Sequence, residues 1–429
     1  MASYFIEGGK RLVGDIKISG SKNAALGIIA ASMVLDGPCT IDNVPLISDV
    51  DVLLNICRKL GATIKQSGEG SITIDPTTVT TYESTHEMTR SIRASYYLLG
   101  ALLSRFQKAK LTMPGGCDFG TRPINLHIQG FRSMGAKDEL KNGIITLDAT
   151  AEYHSGHLYM DQASVGATIN VMIAATKAPG TTVIENAARE PHIVDVANFL
   201  NIMGASIKGA GTDTIRIKGV DRIPGNQHYS IIPDQIEAGT YMIAGAVTRG
   251  NIVVRNVIPK HMEPLSMKMK SMGIQIEEGD DWIRVSVGSN DVIKATNFKT
   301  MPYPGFPTDL QPQALILLCV AEGIGKMHEA VWANRFQYIE ELKRMNADVT
   351  IAGPIAIVNG PQQLTSARVP ARDLRAGAAM VLAALIAEGT TEITSVRTIE
   401  RGYQDFVAKL QKVGAAITVG EDSEMLERE

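Results

Sequence analysis

A cysteine stands where its surroundings suit chemistry better than packing, and an aspartate stands at a helix start where chemistry could also sit. Cys117 lies in PGGCDFGTRP, residues 114–123, a run of three glycines and two prolines with Arg122 close behind the thiol. Such a segment makes an exposed turn, whereas a structural cysteine needs apolar neighbours and regular backbone. A nearby cation favours the reactive thiolate and attracts anions. Asp309 follows Thr308 in FPTDLQPQ, residues 306–313, at the start of an apolar run. An acidic side chain there reads first as a helix cap.

The cations are placed as pointedly. Lys22 and Asn23 open an apolar helix in SGSKNAALG, and Arg90 and Arg93 do so in RSIRASYYL. Arg122, Arg335 in ANRFQY, Arg375 in DLRAG and Arg401 in ERGYQDF also stand beside predicted helix starts. A cation at that end opposes the helix dipole. Lys22, Arg93, Arg122, Arg335, Arg375 and Arg401, six cations so placed in a chain of formal net charge -3, call for an anionic ligand carrying phosphate and carboxylate. The overall charge lacks the basic excess that nucleic acid or an anionic membrane surface would require. Cys39, Cys57, Cys117 and Cys319 show no CxxC spacing, which excludes a zinc ribbon and a disulfide framework and points to a reducing compartment. The N-terminus has no apolar signal core, and ALGIIAASMVL falls short of the roughly 20 residues a bilayer needs, so the expected location is cytoplasmic, without membrane insertion. GAGTDT and EGIGKM lack residues that dinucleotide and P-loop motifs require, and HSGH (154–157) reads as a solvated turn without carboxylate partners.

These residues are carried by a repeat. The tags LGATI, MGAKD, MGASI, MGIQI, MNADV and VGAAI have second residues at 61, 135, 204, 273, 346 and 414, spaced by 74, 69, 69, 73 and 68. Five of those residues are glycine and one is Asn346, the types that tolerate the left-handed conformation closing a helix. Each tag ends an amphipathic pattern. Upstream lies a more uniformly apolar helix, such as SVGATINVMIAATK or DLRAGAAMVLAALIAEG, whose small residues on all sides predict burial. The unit reads strand, helix, strand, helix, strand, strand. Six units in 429 residues predict two α/β domains of three units each, helices inside and sheets outside, rather than an open solenoid.

In order along the chain, SKNAAL, PGGCDFGTRPINLH, SVGAT, ENAAREP, PDQIEAGT, FPTDLQPQ, NRF, DLRAG and ERGY closely resemble the enolpyruvyl transferase family, in its branch acting on UDP-N-acetylglucosamine. The likeness runs end to end. It implies two inside-out α/β domains, residues 22–232 and residues 1–21 plus 233–429, linked by a double crossover with the active site in the cleft between them. It implies transfer of the enolpyruvyl group of phosphoenolpyruvate to the 3'-hydroxyl of UDP-N-acetylglucosamine with release of phosphate. That is the first committed step of bacterial peptidoglycan synthesis, on which cell wall, shape and division depend. No metal, organic cofactor or obligatory protein partner is implied.

The same resemblance assigns roles. Cys117 protonates the methylene carbon and Asp309 deprotonates the sugar hydroxyl. Lys22, Arg122 and Arg401 bind phosphate, while Arg335 and Arg375 stand beside the reacting centre and the substrate carboxylate. Arg93, Pro123, Ile124, Asn125, Leu126, Ser164, Val165, Gly166 and Val331 line the nucleotide-sugar site, with Asn23 near both substrates. Asn125, Gln162 and Gln235 stand where family members often carry Asp, Lys and Arg, so the nucleotide contacts differ in detail. A shikimate 3-phosphate transferase would share the repeat without requiring the PGGC loop, and an idle nucleotide-sugar-binding paralogue would not need Cys117, Asp309 and the arginines together. The acidic tail, TVGEDSEMLERE, is expected to fray.

Overall fold

The computed structural model describes residues 2–84, 87–113 and 124–421, with backbone alone at 87 and 88. The chain forms two compact units, Gly20–Ile232 and Met1–Ser19 with Pro233–Glu429. Each has its own apolar core.

Among the described residues there are six four-stranded sheets. In the unit 20–232 one sheet is ordered His228–Ser230, Cys39–Asp42, Ser71–Asp75, Thr63–Gly68. Its first pair is parallel and the others antiparallel. The other sheets repeat this order. The predicted alternation of strands and helices is thus realised, with one rearrangement that the sequence pattern does not announce. Val13–Lys17 pairs in parallel with Asn251–Arg255, whereas His228–Ser230 pairs with Cys39–Asp42. The chain therefore leaves each unit after laying down the first strand of a repeat, whose pairing partner lies 188 residues away for His228 with Thr40 and 238 for Val13 with Asn251.

The terminus is a second case. Ala2–Glu7 sits between Thr390–Thr394 and Ala416–Glu421, so the last sheet is completed by the beginning of the chain. Thr418–Glu421, expected to fray, is held by this pairing, because Ala2–Glu7 supplies its ladder of hydrogen bonds. Residues 422–429 lie outside the described part.

All six tag residues have positive φ: Gly61 109°, Gly135 90°, Gly204 117°, Gly273 87°, Asn346 65° and Gly414 104°. A side chain is strained there, which explains the restriction to Gly and Asn. The buried helices of the repeats are Lys22–Ser32, Tyr97–Phe106, Val165–Ala174, Gln235–Val247, Gln311–Cys319 and Leu374–Ile386. Four begin with a side-chain cap, from Ser21, Ser164, Asp234 and Asp373. The second and fifth repeats instead enter through 3-10 turns, Arg93–Tyr96 and Thr308–Leu310, that have no side-chain cap. Those two exceptions carry Arg93 and Asp309.

Candidate active site

In the unit 1–19 with 233–429, Asp309 occupies a helix start and does not cap it; Pro307 is the residue preceding the 3-10 turn. The Asp309 carboxylate instead lies between two arginines. Arg335 Nη2 donates to Oδ1 at 2.9 Å and Arg375 Nε to Oδ2 at 3.3 Å. Both arginine side chains are buried, whereas that of Asp309 keeps 31% of its surface open. Each arginine uses one oxygen of a group that offers about four lone-pair sites. The three side chains together carry one excess positive charge.

The arginines are fixed from behind. Arg335 Nη1 donates to Thr308 Oγ1 at 2.8 Å. The Arg375 guanidinium lies 5.4 Å from the centre of the Tyr403 ring. Tyr403 in turn shares a buried network with Thr240 at 2.9 Å and Gln313 at 3.1 Å. Burial opposes the charge of Arg375, but Tyr403, Asp309 and Asp234 outweigh it and raise its pKa. The guanidinium stays charged.

A separate cluster in the unit 20–232 is built on neutral groups as much as on cations. Asn170, fully buried on the helix Val165–Ala174, accepts from Gly100 N at 2.8 Å. It donates to Tyr96 O at 2.7 Å and to His127 Nδ1 at 3.0 Å. That last bond leaves the imidazole proton on Nε2. Burial, and then the charge of Arg93, push the His127 pKa down to about 4, so the ring is neutral at pH 7. The opposite edge of the ring faces Gly166, where an added Cβ would lie 3.0 Å from Cε1 and Nε2. Glycine at 166 is therefore a condition of this packing, at the first turn of a helix whose N–H groups suit an anion. Ser164 caps that helix through Ala167 N at 3.3 Å. Arg93 stands 6.0 Å from the Tyr96 ring centre.

Lys22 opens the helix Lys22–Ser32, as expected, but it is no solvated cap: its Nζ lies 2.6 Å from Asp49 Oδ2, with both groups buried. An anion bound there must share the lysine with Asp49. Asn23 is the next residue of the same helix, and Ile124, Asn125 and Leu126 lead the helix Asn125–Ser133 that carries His127. Val331 belongs to a turn after Gly323–His328, its N–H bonded to Glu329 Oε1 at 2.8 Å. Arg401 departs from expectation, being the C-cap of Arg397–Glu400, five residues before Phe406–Lys412. The dipole argument therefore does not hold for Arg401, and the helix beyond Arg335 begins only at Ile339. Cys117, Arg122 and Pro123 lie outside the described residues.

HSGH does find carboxylates, against the sequence reading: His157 Nε2 is 3.3 Å from Glu185 Oε2 and His154 Nε2 is 4.0 Å from Glu152 Oε1. They are separate surface pairs. Among the described residues no group of three or more His, Cys, Asp or Glu could hold a metal, and no helix is long and apolar enough to cross a membrane. Asp49, His127, Asn170, Thr308, Glu329 and Tyr403 take part in the two clusters without having been singled out from sequence.

Residues 6–410 match the family described as EPSP synthase (3-phosphoshikimate 1-carboxyvinyltransferase). The chain is 51% identical over 417 residues to UDP-N-acetylglucosamine 1-carboxyvinyltransferase of Halothermothrix orenii, covering 97% of this chain and 99% of that one. It is 50% identical over 417 residues to UDP-N-acetylglucosamine 1-carboxyvinyltransferase 3 of Caldanaerobacter subterraneus, again covering 97% and 99%. Among solved structures, the enolpyruvyl transferase NikO of Streptomyces tendae superposes with TM-score 0.88 at 26% identity, covering 97% of this chain and 98% of that one. EPSP synthase of Acinetobacter baumannii gives TM-score 0.78 at 20% identity, over 98% and 100% of the two chains, a likeness of fold.

Proposed function

The chain belongs to the 1-carboxyvinyl (enolpyruvyl) transferase family, and we propose that it moves the enolpyruvyl group of phosphoenolpyruvate onto the 3'-hydroxyl of UDP-N-acetylglucosamine, releasing phosphate. The observation that carries this reading is the state of Asp309: a half-open carboxylate, relieved of any capping duty, held between two buried guanidiniums. The substrate is supported by relatives of about half-identical sequence over nearly full length whose names specify UDP-N-acetylglucosamine.

The reaction is an addition followed by an elimination. The sugar oxygen bonds to C2 of phosphoenolpyruvate as Asp309 takes its proton, and Cys117 gives a proton to C3, making a methyl group. The C2–O bond to phosphate then breaks as a proton leaves that methyl, restoring the double bond in the enol ether. Lys22, Arg122 and Arg401 bind the phosphate, and Arg335 and Arg375 hold the carboxylate of the three-carbon substrate while keeping Asp309 in place. Such preorganised cations stabilise charge as it develops, and no redox step requires a cofactor. The 93, 124–126 and 164–166 positions, with Val331, bind the nucleotide sugar. The neutral His127 beneath Gly166 adds no charge of its own at the first turn of that helix. We place the protein in the cytoplasm at the entry to cell-wall synthesis.

Incubating the protein with both substrates and measuring phosphate and the enolpyruvyl sugar nucleotide tests this directly. Phosphate release should require UDP-N-acetylglucosamine. Release that required shikimate 3-phosphate instead would overturn the substrate assignment, and binding without turnover would favour an idle paralogue.

A further inference from the structure

Glu329 is 3% exposed and is a carboxylate that the reaction does not use. Its two oxygens serve different masters. Oε1 accepts from Thr300 Oγ1 at 2.7 Å, Val331 N at 2.8 Å and Trp332 N at 3.1 Å, which closes the turn holding Val331. Oε2 accepts from Thr308 Oγ1 at 2.8 Å. Having donated its proton, that hydroxyl accepts from Arg335 Nη1 at 2.8 Å, and Arg335 Nη2 donates to Asp309 Oδ1 at 2.9 Å. A hydroxyl has one proton, so its polarity is set by whichever neighbour can only accept.

We infer that Glu329 is a positioning residue: it orients the Thr308 hydroxyl so that Arg335 and Asp309 are held in their reactive geometry, and ties that geometry to the turn bearing Val331. The role of Asp309 as base rests on the function proposed above; the relay of contacts is independent of it. A purely structural role for Glu329, closure of its own turn, needs only Oε1. The arm through Oε2 reaches a different segment and continues to the reacting centre. Small displacements there are costly, since about 1 Å of misplacement costs on the order of 100-fold in rate.

Glu329→Gln separates the two arms. A glutamine carbonyl keeps the three bonds of Oε1, while its NH2 replaces Oε2 and donates to Thr308, which then faces two donors and has its own proton unpartnered. Turnover per folded molecule should fall about tenfold or more, with KM for UDP-N-acetylglucosamine changed less than about threefold, the pattern of an interaction felt mainly in the transition state. Thr308→Val cuts the same relay while leaving the Oε1 bonds intact, and should give the same split. Thr308→Ser, which keeps the hydroxyl, should restore most of the turnover lost in Thr308→Val. The double variant Glu329→Gln/Thr308→Val should be no worse than the worse single one, because both remove one pathway. Crystal structures of the folded variants give a readout without activity: the Arg335–Asp309 contact should be broken or lengthened. Wild-type turnover in either folded variant, additive losses, no rescue by serine, or an unchanged Arg335–Asp309 contact would each overturn the inference. If Glu329→Gln does not fold, Thr308→Val and Thr308→Ser decide it alone. Absence of phosphate release in the unmodified protein would defeat the functional proposal only, and the variants' geometry would still judge the relay.

Discussion

The second and fifth repeats are the same structural unit put to opposite uses. Each enters its buried helix through a 3-10 turn without a side-chain cap. In the fifth repeat that opening holds Asp309 against Arg335 and Arg375, a site made of charges. In the second it holds Arg93 near Tyr96, backed by Asn170 and an uncharged His127. Giving up a cap releases a polar position for other work, and the helix, buried and packed on all sides, is stable without it. The charged cluster suits proton removal and anion stabilisation; the neutral cluster suits recognition of a large polar ligand by shape and hydrogen bonds. Removing a group should therefore cost turnover in the first and fold stability in the second.

The sharpest break of that contrast would come from Asp309→Ala. It should retain UDP-N-acetylglucosamine binding within a few-fold, measured calorimetrically, and lose turnover by about 100-fold or more, as loss of a general base requires. Near-normal turnover would make Asp309 a mere counter-ion of its arginines and erase the distinction between the clusters.

How far the sequence reveals this contrast depends on the range of the contacts. The tag residues are legible because their requirement is local: a left-handed backbone admits Gly or Asn. The buried helices are legible from their all-round apolar character. The arginines stand out because a cation at a helix start opposes the dipole, whereas Asp309 alone reads as an ordinary cap. Arg401 misleads for the same reason, since a short helix, Arg397–Glu400, intervenes and places the arginine at a C-terminus instead. His127 and Asn170 are invisible because their roles arise only when segments 43 residues apart meet. Lys22 looks like a cap until Asp49, from the next helix, is brought beside it. The same limit keeps the exchange of first strands out of the pattern of elements, which is identical whichever strand completes a sheet; the double crossover is implied by the family resemblance alone.

The stability side of the contrast is tested by Asn170→Leu. The leucine leaves Gly100 N–H, Tyr96 C=O and His127 Nδ1 without their partner in a dry core. Unsatisfied buried groups cost about 1–3 kcal/mol each, and relaxation recovers part of that, so a loss of about 2–4 kcal/mol is expected in chemical denaturation followed in the unit 20–232. The Arg335–Asp309–Arg375 cluster should be unaffected. A loss under about 1 kcal/mol would mean that the network is not what holds the neutral cluster together.

The smallest effect concerns the charge state of His127 and needs pH to reveal it. Its folded pKa, about 4, lies below the ordinary value of 6.5, because burial and Arg93 both disfavour the proton. A depressed pKa contributes stability that is fully present above pH 6.5 and is lost as pH falls toward 4, where the unfolded chain takes up the proton first. Between pH 8 and pH 6 the loss from this one residue is about 1 kcal/mol. His127→Gln removes the titration while keeping an amide able to meet Asn170, so the stability difference between variant and parent should be flat above pH 7 and shift in favour of the variant below it. Nitrogen chemical shifts of the ring should show one protonated position, Nε2, throughout the range from pH 8 to pH 6. The opposite arrangement, an imidazolium donating from both nitrogens, would require Asn170 to turn its oxygen toward the ring and abandon Gly100 N–H, and it would place two cations, His127 and Arg93, side by side in a buried site. A ring that titrates near 6.5 would establish that arrangement, and the second repeat would then be a charged site like the fifth.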